Sequence, residues 1–389
     1  MNKEKRIYLD NAATTPLDGR VLQAMMPLLK DNFGNASSLH SFGTEAKEML
    51  TYSRKKIASY LNASADEIIF TGSGTESNNL ALKGIAFANK NKGNHIIVSS
   101  IEHDCVLNTC KWLETQGFYV SYLSVNNEGL IDYQELEKLI NPKTILVSVM
   151  HANNEVGSIQ PIDEVGKICK QRKIYFHSDA CQSFGKLEID VVKANIDLLT
   201  INAHKIYGPK GVGALYINKE VQISPLLHGG GQEMGIRSST ENIAGIVGFA
   251  KAAELCIDEM ESETKRISCL RNILAEELQN NYEGFYINGS TTQRLHTNLN
   301  FAISGLEGET IRLLLLLDEK GIAVSTGSAC SNNDTTKSAS HVLQAMGRNQ
   351  FESRGAIRLS IGRFNTEDDI DYFIESFTNT VKKLNPIFS

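Results

Sequence analysis

Two apolar runs in the chain end on residues able to do covalent and acid–base chemistry. Leu198-Leu199-Thr200-Ile201-Asn202-Ala203-His204-Lys205 closes on a lysine, and Gly208-Pro209 interrupts the chain just beyond it. Read as a buried strand, the run sets Lys205 at its carboxyl end, where open α/β sheets place their ligands. An amine partly withdrawn from water beside another potential cation, here His204, gives up its proton more readily and becomes a nucleophile toward carbonyls. Alone, such a lysine is equally the first residue of a solvated loop. The run Ile174-Tyr175-Phe176-His177-Ser178-Asp179 ends on a carboxylate, which alone would read as a helix cap. Neighbouring strand ends would present the two together. Pyridoxal phosphate requires that pair: a lysine to form an imine and a carboxylate to keep the pyridine nitrogen protonated.

The elements that must hold these residues are legible as alternating strand and helix signals. Strands are expected at Ile68–Thr71, His95–Ser99, Val120–Leu123, Ile145–Val149, Ile174–Phe176, Leu198–Ile201 and Ala214–Ile217. The β-then-α order predicts an α/β fold, a mostly parallel seven-stranded sheet with helices on both faces. Ile243, Ile246, Ala250, Ala253, Ile257 and Met260 recur at three- and four-residue steps, one long amphipathic segment marking a crossover to a smaller α+β domain. Its strands are expected near 285–287, 298–303, 322–324 and 357–361. Residues 16–246 form the large domain in this reading; residues 1–15 and 247–389 form the small one.

Composition sets limits. A chain of 389 residues with 41% hydrophobic residues can bury a large core, and its formal charge of -6 is spread without a basic stripe, so direct nucleic-acid binding is not expected. The run Ile311–Leu317 is far short of the roughly 20 residues that span a bilayer and reads as a buried helix; no membrane association is expected. The first ten residues lack the apolar core of an export signal. Seven cysteines without paired spacing match neither a disulfide framework nor a zinc site, so no metal is expected and a cytoplasmic setting is.

Further residues at the strand ends carry chemistry. Thr71-Gly72-Ser73-Gly74-Thr75 runs into a helical segment, and a helix start with glycines and a hydroxyl can hold a phosphate, although the same pattern makes plain turns. His103 follows the second strand and is structural or functional. Arg358 lies inside the apolar strand Ile357-Arg358-Leu359-Ser360-Ile361, so it needs a carboxylate, either internal or that of an amino-acid ligand. Ser325-Thr326-Gly327-Ser328-Ala329-Cys330-Ser331 is small and polar, an exposed loop of about 325–340 in which a thiol is free to act as a nucleophile. The other six cysteines read as packing residues.

Ser178-Asp179-Ala180-Cys181-Gln182-Ser183, Ala203-His204-Lys205-Ile206-Tyr207-Gly208-Pro209-Lys210-Gly211 and the STGSAC run together resemble the cysteine desulfurases, within the class V aminotransferase group of pyridoxal-phosphate enzymes. The resemblance extends from Tyr8 to the last helix. It implies a fold type I transferase that removes sulfur from L-cysteine, forming L-alanine and a persulfide on Cys330 for an acceptor or iron-sulfur scaffold protein. It implies Lys205 and Cys330 as catalytic residues, with His103 against the cofactor ring as a proton relay. Gly74, Thr75 and Asn202 would contact the phosphate side, His204 the phosphate or the imine side, Asp179 the pyridine nitrogen, and Asn154 and Gln182 the phenolate oxygen. Arg358, with Asn154, would bind substrate, and Thr240 would reach the phosphate in a neighbouring subunit, which implies a homodimer. The chain departs from the family pattern at Asn202, usually serine, at Ser239, usually glycine, and after Cys330, where a Leu-Glu-Pro-Ser run is missing. Two rival readings stay open: a related lyase or aminotransferase acting on selenocysteine or another amino acid, and a silent sulfur-relay subunit.

Overall fold

The computed structural model describes residues 6–326 and 339–384. Seven strands form the central sheet: β2 (Ile68–Thr71), β3 (His95–Ser99), β4 (Tyr119–Leu123), β5 (Thr144–Ser148), β6 (Tyr175–Asp179), β7 (Leu198–Asn202) and β8 (Gly213–Ile217), after a short β1 (Ile7–Tyr8). Their order is β2-β8-β7-β6-β5-β3-β4, and only β8 runs against its neighbours. The seven expected strands are all present.

Why these runs are largely apolar follows from the layers. Side chains alternate across a strand, and here both faces are covered. Ile96, Val98, Leu146, Leu198 and Leu215 face a core with α3 (Gly74–Ala88) and α4 (Asp104–Thr115). Ile97, Val147, Phe176, Leu199 and Tyr216 face the opposite core. That core also holds α1 (Gly19–Lys30), α2 (Ser41–Ser59), α6 (Ile162–Arg172) and α7 (Ile243–Asp258). The short α5 (Tyr133–Leu139) buries Leu136 in the same core. β4, at the sheet edge, is exposed or partly exposed along most of its length.

A second core gathers around an antiparallel sheet of β9 (Phe285–Ile287), β10 (Asn298–Ile303) and β12 (Ile357–Ser360), in the order β12-β10-β9. Beside it β1 pairs in parallel with β11 (Ile322–Ala323). Helices α8 (Met260–Asn281), α9 (Thr310–Asp318) and α11 (Glu367–Leu384) supply Leu270, Leu274, Leu313, Leu317, Phe373 and Phe377. The helix α10 (His341–Ala345) packs separately against Ile101, Met150 and Val156.

Two expectations need correction. The amphipathic segment from Ile243 is two helices, broken at Glu259, and α7 packs on the first core as far as Cys256. The Ile311–Leu317 run is not a buried helix: Leu313 and Leu317 are buried, but Ile311 is 65% and Leu315 62% exposed, because a short helix on a surface has one inward stripe. Among the described residues no helix is long and apolar enough to cross a membrane.

Candidate active site

The carboxyl ends of β2, β3, β5, β6 and β7 share one edge of the sheet. Thr71 and Asn202 both pair with Gly213, and Asp179 pairs with Thr200, so three strand ends lie nearly level. Asp179 is buried there, 5% exposed. Its Oδ2 accepts from Asn78 Nδ2 at 2.6 Å and its Oδ1 from the Cys181 amide at 2.9 Å, which fixes the direction of the carboxylate. Asn78, on the buried face of α3, escaped the sequence reading, and its one signal was a polar residue among Leu80, Ala81 and Leu82.

The mouth of α3 forms beside this carboxylate. Ser73 caps the helix by accepting from the Glu76 amide at 3.1 Å, while the amides of Gly74 and Thr75 belong to the first turn, which has no intrahelical acceptors. A methyl group at Gly74 would lie 2.6 Å from Cys181 Sγ and 3.3 Å from Asn202 Nδ2, so the absence of a side chain keeps the mouth open. Asn202 Oδ1 is buried without a hydrogen-bond partner among the described residues. Thr75 is exposed. Glu76 does not leave a bare negative charge, because Arg237 binds it with Nε at 2.7 Å and Nη2 at 3.2 Å. Free amides, a helix start and a hydroxyl on one side, with an oriented carboxylate on the other, fit the phosphate and pyridine ends of pyridoxal phosphate.

His103 lies in the same edge as the cap of α4, its Nδ1 accepting from the Cys105 amide at 3.1 Å. A neutral ring that accepts at Nδ1 carries its proton on Nε2. Burial, and next the charge of Lys205, push the His103 imidazole toward that neutral form. Lys205 is partly buried, and its charge also acts on Cys181, Lys186 and His204. Cys105 stays a thiol, pushed up to about 12 by burial.

The amino-terminal segment crosses this edge. His204 Nδ1 pairs with Thr14 Oγ1 at 3.1 Å, and burial lowers the ring to about 4. Gln182 Nε2 donates to the Ala12 carbonyl at 3.0 Å. Both side chains therefore use one polar group to hold residues 12–14 in place.

Arg358 is 2% exposed and binds Asp10 Oδ1 at 2.6 Å through Nη2 and the Asn154 carbonyl at 3.0 Å through Nη1. Its backbone exchanges two hydrogen bonds with Ser325, at 2.7 and 3.2 Å. Ser340 Oγ donates to the buried Glu155 Oε2 at 2.5 Å, and His341 Nε2 meets the Glu102 carbonyl at 3.0 Å. Burial pushes the carboxyls of Glu155 and Glu102 up. Cys330 itself lies outside the described residues; the chain leaves and re-enters beside Arg358 and Glu155. Thr240 is exposed. Of the other cysteines, Cys110, Cys169, Cys181 and Cys256 are buried as expected and Cys105, at the site edge, is partly buried against the core under α3 and α4, but Cys269 is exposed and is not a packing residue. No cluster of metal ligands occurs among the described residues.

A doubly covered, mostly parallel sheet with these groups at its carboxyl edge defines a fold type I pyridoxal-phosphate enzyme. The Aminotransferase class-V family matches residues 7–373. The cysteine desulfurase IscS of Dictyoglomus turgidum is 48% identical over 384 residues, covering 99% of this chain and 96% of its own length. That of Methanosarcina thermophila is 50% identical over 382 residues, covering 98% and 93%. A solved NifS-like protein superposes with a TM-score of 0.91 at 40% identity, over 97% of this chain and 100% of its own. The chain belongs to the class-V aminotransferases and, within them, to the pyridoxal-phosphate-dependent cysteine desulfurases.

Proposed function

We propose that this enzyme takes sulfur from L-cysteine, releases L-alanine and leaves a persulfide on Cys330 for an acceptor to remove. The observation that carries the reading is the backbone pairing of Arg358 with Ser325. It joins a buried cation suited to an α-carboxylate to the root of the segment that bears the Ser-Thr-Gly-Ser-Ala-Cys sequence.

In this reading Lys205 anchors the cofactor and exchanges a proton at the substrate α-carbon. Asp179, held by Asn78 and the Cys181 amide, faces the pyridine nitrogen. Gly74, Thr75 and Asn202 would serve the phosphate side, His204 the phosphate or the imine side, and Asn154 and Gln182 the phenolate side. Bound pyridoxal phosphate supplies the electron sink that loosens bonds at the substrate's α- and β-carbons. His103, neutral with its proton on Nε2, would stand on the ring side of the bound cofactor and relay protons. The Cys330 thiolate attacks the substrate sulfur; the S–S bond forms as the C–S bond breaks, and its electron pair stays with the three-carbon fragment, which takes up protons and leaves as alanine.

The active unit in this proposal is a homodimer in which Thr240 reaches the partner's phosphate site. The exposure of Leu227, Met234 and Thr240 along one stretch supports it. The two cores support a large and a small domain, with the crossover at the break between α7 and α8 rather than at residue 246. Six free cysteines among the described residues support a reducing cytoplasm, and the acceptor is an iron-sulfur scaffold or thiolation protein. The test is one turnover with L-cysteine, alkylation and peptide mass analysis. The reading expects one extra sulfur on Cys330; extra sulfur on another cysteine, or on none, overturns it.

A further inference from the structure

His103 and Asp179 belong to different elements of the sheet edge, and one thiol lies between the groups that hold them. The Nδ1 of His103 accepts from the Cys105 amide at 3.1 Å, and Cys105 Sγ lies 3.1 Å from the same nitrogen. Sγ in turn lies 3.2 Å from Asn78 Nδ2, and that nitrogen is 2.6 Å from Asp179 Oδ2. His103 and Cys105 come from the start of α4, Asn78 from the buried face of α3 and Asp179 from the end of β6.

The chemistry fixes the direction of each bond in this row. Turned over, the Asn78 amide would set Oδ1 against Asp179 Oδ2, two acceptors with no proton between them, so Nδ2 is the atom that faces the carboxylate. Its two protons serve Asp179 and Sγ, and Asn78 Oδ1 is buried without a partner among the described residues. A backbone amide can only donate, so Nδ1 holds a lone pair, and the thiol proton is left to point at it as well. Burial keeps that proton on the sulfur. Sγ thus accepts from Asn78 and donates to His103. Asn78 has no proton to give up, so the row orients both its ends and conducts nothing between them.

We propose that Cys105 is a positioning residue of the active site, whose thiol ties His103 to the Asn78–Asp179 pair and holds the imidazole with Nδ1 occupied and Nε2 left to exchange the proton. The inference rests on the reading of His103 as the proton relay. Alanine at 105 would keep the amide donor but lose the thiol, leaving one Asn78 proton unpaired and the ring held at one point rather than two.

The experiment compares Cys105→Ala with Cys105→Ser in the holoenzyme. Both variants lose the volume of the sulfur; only serine keeps a group that accepts from Asn78 and donates to Nδ1. The first readout is the nitrogen-15 resonance of His103 Nδ1 at neutral pH in protein with labelled histidine, assigned by its loss in His103→Gln. Cys105→Ala moves it toward the position of a nitrogen with a freer lone pair, and Cys105→Ser leaves it near the wild type. The second readout is alanine formation from L-cysteine. A thiol is a weak donor, so Cys105→Ala lowers kcat about threefold with KM unchanged, and Cys105→Ser restores it. A packing role would move the two variants alike; that result, or no displacement in Cys105→Ala, overturns the inference. If Cys105→Ala does not fold, a wild-type resonance in Cys105→Ser supports the inference and a displaced one overturns it. No alanine from the wild type overturns the functional reading instead, and the resonances then decide the inference alone.

Discussion

Replacing Asn78 by alanine removes one of the two donors that orient Asp179. The carboxylate is buried, so the lost bond is not replaced freely by water, and a hydrogen bond to a charged group contributes about 2 kcal/mol. Asn78 also donates to Cys105 Sγ at 3.2 Å, a weak bond that adds little. Urea unfolding of the apoprotein, read at constant m, is therefore expected to lose about 2 kcal/mol in Asn78→Ala. Asn78→Asp sharpens the test. It sets a carboxylate where the amide nitrogen stands 2.6 Å from Asp179 Oδ2, and two carboxylates at that range must share a proton. The folded pair then binds a proton more tightly than the unfolded chain does, so stability is retained at low pH and lost as pH rises. Asn78→Asp should fall below Asn78→Ala at neutral pH and recover toward it on acidification. Equal stabilities of wild type and Asn78→Ala, or a pH-independent Asn78→Asp deficit, would refute the orienting role.

Gly74→Ala puts a methyl group against Cys181 Sγ and Asn202 Nδ2 at the mouth of α3; absorbance titration of the apoprotein should show cofactor affinity reduced by about tenfold or more, near 1.4 kcal/mol. His151 and His177 are both buried and lowered to about 4 by burial. Their unfolded forms take up protons below about 6.5 while the folded forms do not, so stability falls as pH drops from about 6.5 to about 4. Chemical denaturation across that window should show a shallower acid limb in His151→Phe than in the wild type. Leu227→Asp with Met234→Asp, both at exposed positions of the stretch leading to Thr240, should convert a dimer to a monomer by light scattering while each chain stays folded.

The sheet was readable because both its faces are buried. β3, β5 and β7 are buried along their whole length, leaving no inward or outward phase to misjudge, and two neighbouring strands end at the site edge, β6 on Asp179 and β7 on Asn202, just before Lys205. Where a single face is buried the same composition misleads: Leu313 and Leu317 point inward, and Ile311 and Leu315 do not. The residues that support the site were harder to find. Asn78 matters through Asp179, Asp10 through Arg358, and Glu155 through Ser340, contacts spanning 101, 348 and 185 positions of the chain. No local spacing encodes such pairs.

The central claim is tested most directly by measuring alanine and sulfide released from L-cysteine with pyridoxal phosphate and a thiol reductant, in the wild type, Lys205→Ala and Cys330→Ser. The account predicts both products from the wild type in equal amounts. It predicts neither product from Lys205→Ala, and no sulfide from Cys330→Ser although that variant still binds the cofactor. Sulfide release by Cys330→Ser at the wild-type rate would contradict it.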